Sequence, residues 1–345
     1  MLNVGIVGLG RMGSLHLMNC LKIKDVNVVA AADSSKKSLE KAGALGVKRL
    51  YTDYHELFGH PADFDAVVLS LPNFMHFDGI QLALEAGMDV FAEKPLATSV
   101  EECRQIVKLA EKSGRRVMVG HVMRFVEALQ MMKEKKEKGT IGDLEVATIE
   151  EIINGPFAHP RVPVPVSEWW FDPKKSGGGA LMDVGYHMID LFRYFAGDSE
   201  VTFSLLNHRL NLPVEDGAIV ILRSSKSSAK GIINVGWYEQ TTFPKYNFRT
   251  LLHGTAGYLS SDDLIPHNLY RHAVKEGTKN ILRRATGRDI RYLSYTYHYE
   301  SFYKELVHFF ECVKHDSQPS VNAEDGLKTV ELIQAAYEKS AKSEY

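Results

Sequence analysis

Three groups of residues have the types and spacing for chemistry. The first is Gly8-Leu9-Gly10-Arg11-Met12-Gly13, a GxGxxG run. Its first glycine permits a tight turn, its second lets backbone approach a pyrophosphate, and its third lets a helix pack close to a strand. The N-terminus of that helix faces the phosphate charge. Asp33 stands 20 residues past Gly13, where an acid binds the ribose hydroxyls of a dinucleotide, with Ser34 beside it. A carboxylate there repels a 2′-phosphate and favours NAD, although Ser34-Ser35-Lys36-Lys37 could accommodate NADP. The second group is Lys94 with Pro95. An ammonium at a strand's carboxyl end would hydrogen-bond a substrate's reacting oxygen and stabilise developing alkoxide charge. Burial makes proton transfer by such a group feasible, and Pro95 fixes the backbone beside it in a bond that can be cis. Most lysines are solvated surface residues; position singles this one out. The third group is Asp183 and His187, four apart and so on one helix face, with Asp190 continuing it. A histidine with a carboxylate one turn away is an oriented acid/base pair, unless the two merely satisfy each other inside the protein.

The elements that must hold these residues alternate in the first part of the chain. Short apolar runs at Val4–Val7, Val26–Ala32, Ala66–Leu71, Val90–Phe91 and Val117–Val119 read as parallel strands buried on both faces. Helical spacing lies between them. The clearest case begins at Ser99, with Glu102 completing a capping box, Val100, Cys103, Ile106, Val107 and Ala110 on one face, and Gly114 past the end. Such alternation predicts a doubly wound parallel sheet, whose ligands bind at the carboxyl ends of its strands. After Gly142 the pattern changes to short strand-like segments, at Leu144–Ile153, Val201–Leu206, Ala218–Leu222, Ile232–Trp237, Phe248–Leu252 and Tyr258–Ser260. No helix separates the later ones, which predicts a large, mostly antiparallel sheet. A helix over Ala180–Ala196 carries Asp183, His187 and Asp190. The expected division is a Rossmann domain over 1–121 and an α+β substrate and oligomerisation domain over 122–345, with the C-terminal helix returning to the first domain.

With 345 residues, 45% hydrophobic and 24% charged, the composition is that of a globular protein of two domains. A net charge of −2 gives no field to gather nucleic acid or anionic membrane. No run nears the roughly 18 apolar residues that span a bilayer, and the N-terminus lacks the basic start of a secretory leader. Cys20, Cys103 and Cys312 are scattered, which argues against a disulfide framework and for a reducing, cytoplasmic setting. His187 and Asp183 would suit a zinc pair, but no HExxH, paired CxxC or clustered third ligand accompanies them, and no metal is expected.

The order of the later motifs resembles the glucose–fructose oxidoreductase/inositol dehydrogenase family, Gfo/Idh/MocA. Leu71-Pro72-Asn73 with His76 resembles its loop after the fourth strand-like run, and Glu93-Lys94-Pro95 matches its EKP motif. Gly177-Gly178-Gly179 followed by Asp183, Gly185, His187 and Asp190 matches its GGG…D-x-G-x-H-x-x-D segment, and Tyr299 through Pro319 to Ser340 resembles its C-terminal helical return. The resemblance spans nearly the whole chain. It implies that Leu71, Pro72, Asn73, His76, Glu93 and Lys94 join the glycine loop in holding the cofactor. It also implies that His187 is the general acid/base, with Asp183 positioning it or the substrate and Lys94 completing the set. Members act mostly on sugars and cyclitols, and assemble as dimers or tetramers through the second domain's sheet. Arg124 resembles the polar segment lining the family's cleft, or is an ordinary surface arginine. Trp169 and Trp170 either shape a sugar pocket or pack in the core.

These observations lead to an NAD(P)-dependent oxidoreductase moving a hydride to or from a hydroxyl-bearing carbon of a sugar-like substrate. Two alternatives stand beside it: a glycoside-cleaving enzyme that closes a redox cycle on bound NAD, and a non-enzymatic NAD-binding regulator. The basic stretch Lys279–Arg291 reads as a solvated loop, with a phosphate or nucleotide-sugar anchor as the other reading.

Overall fold

A computed structural model describes residues 1–60, 63–157, 167–238, 248–265, 269–287 and 299–343. The chain forms two compact units. The first comprises Met1–His121, Lys174–Gly177 and Phe302–Glu331, and the second Val122–Pro173, Gly178–Ser301 and Leu332–Tyr345. Among the described residues no helix is long and apolar enough to cross a membrane.

In the first unit β1 (Leu2–Val7), α1 (Arg11–Cys20), β2 (Val26–Ala32), α2 (Lys36–Ala44), β3 (Arg49–Tyr51), α3 (Tyr54–Phe58), β4 (Ala66–Leu69), α4 (His76–Glu85), β5 (Asp89–Ala92), α5 (Val100–Ser113) and β6 (Val117–Val119) follow in order. The six strands pair in parallel in the order β3-β2-β1-β4-β5-β6. That is the Rossmann order, and it places the loops after β1, β2, β4 and β5 side by side at the carboxyl edge. Every residue of β4 and β5 is buried, as apolar runs covered on both faces should be. One arm of the capping box forms: Ser99 Oγ accepts from the Glu102 N–H, while the Glu102 carboxylate accepts from the Ser99 and Thr98 hydroxyls, and α5 ends in left-handed Gly114, φ 67°. β3, three residues at the sheet edge, is a strand the sequence pattern does not predict.

The second unit opens with α6 (Glu127–Glu137) and β7 (Leu144–Ile152). The short α7 (Pro173–Ser176) follows in the chain, its residues from Lys174 onward belonging to the first unit, and then the second unit's α8 (Tyr186–Ala196) precedes β8 (Ser199–Asn207), β9 (Gly217–Ser224), β10 (Lys230–Gly236), β11 (Phe248–Gly254) and β12 (Gly257–Ser260). The sheet runs β12-β11-β7-β10-β9-β8, antiparallel except for the β7–β10 pair. Gly231 makes room for the Phe192 ring of α8 on one sheet face. Phe203, Leu205, Ile232 and Tyr258 are exposed.

Three helices complete the described chain: α9 (Leu269–Ala285), α10 (Tyr299–Lys314) and α11 (Ala323–Ser343). Part of the expected solvated loop is thus helical. Lys279 and Arg283 of α9 lie one and two turns from Glu276 and bind its carboxylate at 2.7 and 3.0 Å, so the positive charge is spent locally. Arg288 and Arg291 lie outside the described residues.

Candidate functional site

The glycine loop after β1 has the shape a dinucleotide requires. Gly8 has φ +82°, a conformation that disfavours any side chain. A Cβ on Gly13 would stand 2.7 Å from the Gly8 carbonyl carbon, so only glycine lets α1 approach the turn. Gly10, by contrast, has nothing within 4 Å of where a Cβ would be: its backbone is open to a ligand. α1 begins there with no side-chain cap and no acid in its first turn, leaving its first N–H groups for an anion. Gly10 and Arg11 are exposed and Met12 half-buried. The Asp33 carboxylate accepts from the Leu9 N–H at 2.6 Å and the Ser35 N–H at 2.7 Å, tying the loops after β1 and β2 together. Ser34 beside it is exposed. These residues fit a dinucleotide with its pyrophosphate at α1 and its ribose at Asp33.

The loops after β4 and β5 are joined by a histidine. Leu71 and Pro72 are half-buried and lead into a 3₁₀ turn, Asn73–Met75. The Asn73 amide donates to the Ser176 carbonyl at 2.8 Å. His76 is fully buried, with Nε2 2.8 Å from the Leu71 carbonyl oxygen and Nδ1 2.6 Å from that of Pro95. Burial pushes its imidazole below the usual histidine range, with the two carbonyls acting in the opposite sense. The Lys94–Pro95 bond is cis. Lys94 is half-buried, and its backbone N–H donates to Glu93 Oε2 at 3.2 Å. The other Glu93 oxygen lies 2.6 Å from His16 Nε2. The Glu93 carboxylate is therefore engaged inward, on His16 and the Lys94 backbone.

In the second unit the expected Ala180–Ala196 helix is two elements: a π-helical turn, Leu181–Gly185, and then α8. Asp183 lies in the turn and His187 in the helix, so one regular helix face does not describe their relation. The turn forms where the chain is held from outside. Glu215 Oε1 accepts from the N–H groups of Gly179 and Leu181, both at 2.9 Å, and from the Tyr337 hydroxyl at 2.8 Å. Burial pushes the Glu215 carboxyl above the usual range, and these donors offset part of that.

From Leu181 through Arg193 every residue is buried except Asp183 and His187. Two polar side chains alone reach solvent from a stretch otherwise committed to the core. Asp183 Oδ2 accepts from the Trp237 indole N–H at 3.2 Å, and Phe157 meets the Trp237 ring edge-on at 6.2 Å. Spacing gives no hint of Trp237, which lies 54 residues from its partner. Asp190, by contrast, is fully buried in a two-bond fork from Arg124, 2.8 Å from Nε and 2.6 Å from Nη2, with Arg193 at 3.7 Å. The Arg124 guanidinium also lies 5.5 Å over the Tyr194 ring, so its described contacts are structural. Trp169 and Trp170 stack at 4.7 Å in a 3₁₀ turn, half-buried.

Residues 2–121 match the family described as "Oxidoreductase family, NAD-binding Rossmann fold". Residues 133–345 match its partner description, "Oxidoreductase family, C-terminal alpha/beta domain". A myo-inositol 2-dehydrogenase of Thermotoga maritima is 28% identical over 97% of this chain and 95% of its own. An inositol 2-dehydrogenase of Rhizobium meliloti is 25% identical over 96% of this chain and 94% of its own. The scyllo-inositol dehydrogenase of Lactobacillus casei, solved with NAD(H) and scyllo-inositol bound, has a TM-score of 0.79 over 99% of this chain and 98% of that one. At 23% identity it is a likeness of fold.

Proposed function

Because the chain belongs to the Gfo/Idh/MocA family of NAD-binding oxidoreductases, we propose that it is an NAD-dependent dehydrogenase of a cyclitol, sugar or sugar derivative. The observation that carries this is the emergence of Asp183 and His187 alone from a buried stretch. The inositol dehydrogenases among its relatives favour a ring bearing several hydroxyls.

The glycine loop and Asp33 would hold NAD, which when bound would supply hydride exchange with a carbinol carbon. His187 takes the hydroxyl proton as general base and returns it in the reverse direction. Asp183, held by the Trp237 N–H, orients His187 or a neighbouring substrate hydroxyl. Lys94 places an ammonium at the reacting oxygen and stabilises charge developing there. Arg124, its fork on Asp190, holds α8, and Trp169 offers a ring face to the substrate. Asp33 disfavours a 2′-phosphate and so selects NAD over NADP.

The exposed Phe203, Leu205, Ile232 and Tyr258 favour a homo-oligomer through the second unit's sheet. Sedimentation that finds wild type and Phe203→Glu equally monomeric would remove that part. Three buried free cysteines favour a reducing cytoplasm.

The test is nicotinamide absorbance over a panel of cyclitols, sugars and nucleotide sugars, with NAD and NADP separately. Lys94→Ala and His187→Ala should each lower kcat by roughly 10²–10⁴-fold while NAD still binds. Turnover undiminished in both variants sinks the assignment.

A further inference from the structure

Behind Lys94 lies a buried cluster of three ionisable side chains. His16 comes from α1, Glu93 from the segment after β5, and Glu305 from α10; all are buried. One nitrogen or oxygen of each lies within 4.8 Å of those of the other two. His16 meets the Phe91 ring edge-on at 5.2 Å and that of Phe302 at 6.1 Å, so its surroundings are apolar. Glu93 is well served, by His16 on one oxygen and the Lys94 N–H on the other. Glu305 is not: neither carboxyl oxygen has a hydrogen-bond partner, and neither does His16 Nδ1.

An ionised carboxylate without donors is among the costliest groups to bury. Two of them this close in apolar surroundings do not both ionise. The donors decide which one does. Burial alone would raise the Glu93 carboxyl, but the hydrogen bond and charge of His16, with Lys94 adding to them, hold it below the usual range. Burial and then the Glu93 charge push Glu305 well above it. The ionisable groups facing Glu305 are thus Glu93 and His16, with Lys94 behind Glu93. His308, a turn further along α10, accepts from the Ser320 N–H instead.

We propose that the two carboxyl groups share one proton, carried by Glu305 and directed at the Glu93 carboxylate, and that Glu305 is thereby a positioning residue for Lys94. A separation within 4.8 Å is one that a small rotation or a single water closes. The neutral acid then supplies Glu93 with a third donor and fixes the carboxylate that holds the Lys94 backbone. A metal ion fits the same residues less well. His16 Nε2 and Glu93 Oε1 are 2.6 Å apart, a hydrogen-bond separation, whereas two ligands about 2.0–2.1 Å from one tetrahedral zinc sit roughly 3.3 Å apart.

The functional part rests on the reading of Lys94 given above; the proton does not. The infrared difference spectrum of wild type minus Glu305→Gln, on the full chain at neutral pH, should contain the carbonyl stretch of one protonated carboxyl. Its absence, or stoichiometric zinc in the purified protein, overturns the shared proton. In kinetics, Glu305→Gln still presents an N–H to Glu93 and should keep kcat near wild type. Glu305→Leu, of similar bulk without a donor, should lower kcat roughly tenfold or more with the KM for NAD unchanged. A Leu variant as fast as wild type overturns the positioning role. If Lys94→Ala is active while the carbonyl band is present, the assignment of Lys94 fails and the shared proton stands.

Discussion

Gly10→Ala and Gly13→Ala add the same methyl to the same loop and should behave oppositely. A Cβ on Gly10 meets nothing within 4 Å, and the residue's φ of −62° is one alanine adopts. The fold should lose no more than about 1 kcal/mol, the cost of alanine at a helix N-cap. A bound pyrophosphate, however, would meet the methyl where it now meets bare backbone. Each charge-assisted bond from a backbone N–H that is lost costs about 1.5–3 kcal/mol, or roughly 10- to 150-fold in Kd. At Gly13 the Cβ would stand 2.7 Å from the Gly8 carbonyl carbon and 3.2 Å from Ser70 Cβ. The nearest obstacle is backbone, which no rotamer change relieves. Overpacking of that kind costs about 3 kcal/mol or more. At roughly 2–4 °C per kcal/mol for a unit of this size, the melting temperature should fall by about 6–12 °C. Thermal melts without ligand and calorimetric titration with NAD separate the two effects. A Gly10→Ala protein that binds NAD as wild type does would mean the pyrophosphate lies elsewhere. A Gly13→Ala protein that melts as wild type does would mean the packing argument is wrong.

Three further outcomes follow from contacts in the second unit. Arg124→Met removes the two-bond fork from the buried Asp190 carboxylate, with Arg193 still 3.7 Å away, and should cost about 3 kcal/mol in urea unfolding. Replacing Asp190 by Leu in the same chain should restore most of that loss, since the buried charge that Arg124 balanced goes with it. Trp237→Phe keeps a ring but deletes the donor to Asp183; kcat should fall about tenfold with the KM for NAD unchanged, measured by steady-state kinetics. Glu215 is held above the usual carboxylate range in the fold, chiefly by burial. The stability this contributes is complete below the ordinary carboxylate value and is lost as pH rises through the raised one. Glu215→Gln, which keeps the acceptor oxygen, should flatten the stability curve from about pH 4.5 upward, as read by denaturation across pH.

Much of the first unit is legible because its chemistry is local. The glycine turn, Asp33 and the capping box at Ser99 each act within a few residues, and apolar runs buried on both faces announce their own strands. β3 is not legible: Arg49, Leu50 and Tyr51 form too short a run at a sheet edge to show a pattern. Nor is the π-helical turn, because apolar residues recur at helical spacing through 181–195, while the groups that hold the start of the turn, Glu215 and Tyr337, come from elsewhere in the chain. The supports of the candidate site are hidden for the same reason. His16 meets Glu93 across 77 positions and Trp237 meets Asp183 across 54, so no motif spacing joins them. Sequence points to the candidate chemical groups, while the contacts that hold them belong to the tertiary structure.

The first unit is assembled from stretches far apart in the chain, and this bears on how the protein is made. Met118 bridges to Asn322, Phe91 packs against Phe309, and the Arg116 guanidinium reaches the Ser317 carbonyl. A ribosome releases the nucleotide-binding strands early, yet α10 and the residues after it, which cover that sheet, emerge only near the end. Until then Phe91 lacks its Phe309 cover, and the nascent chain carries an unfinished hydrophobic surface through the synthesis of most of the second unit. Neither unit is complete early: the first waits for Phe302–Glu331 and the second for Leu332–Tyr345, which brings Tyr337 to Glu215. Excision of residues 1–121 as a free domain would expose the same surface, and the natural point of division in this protein is not a cut between two segments.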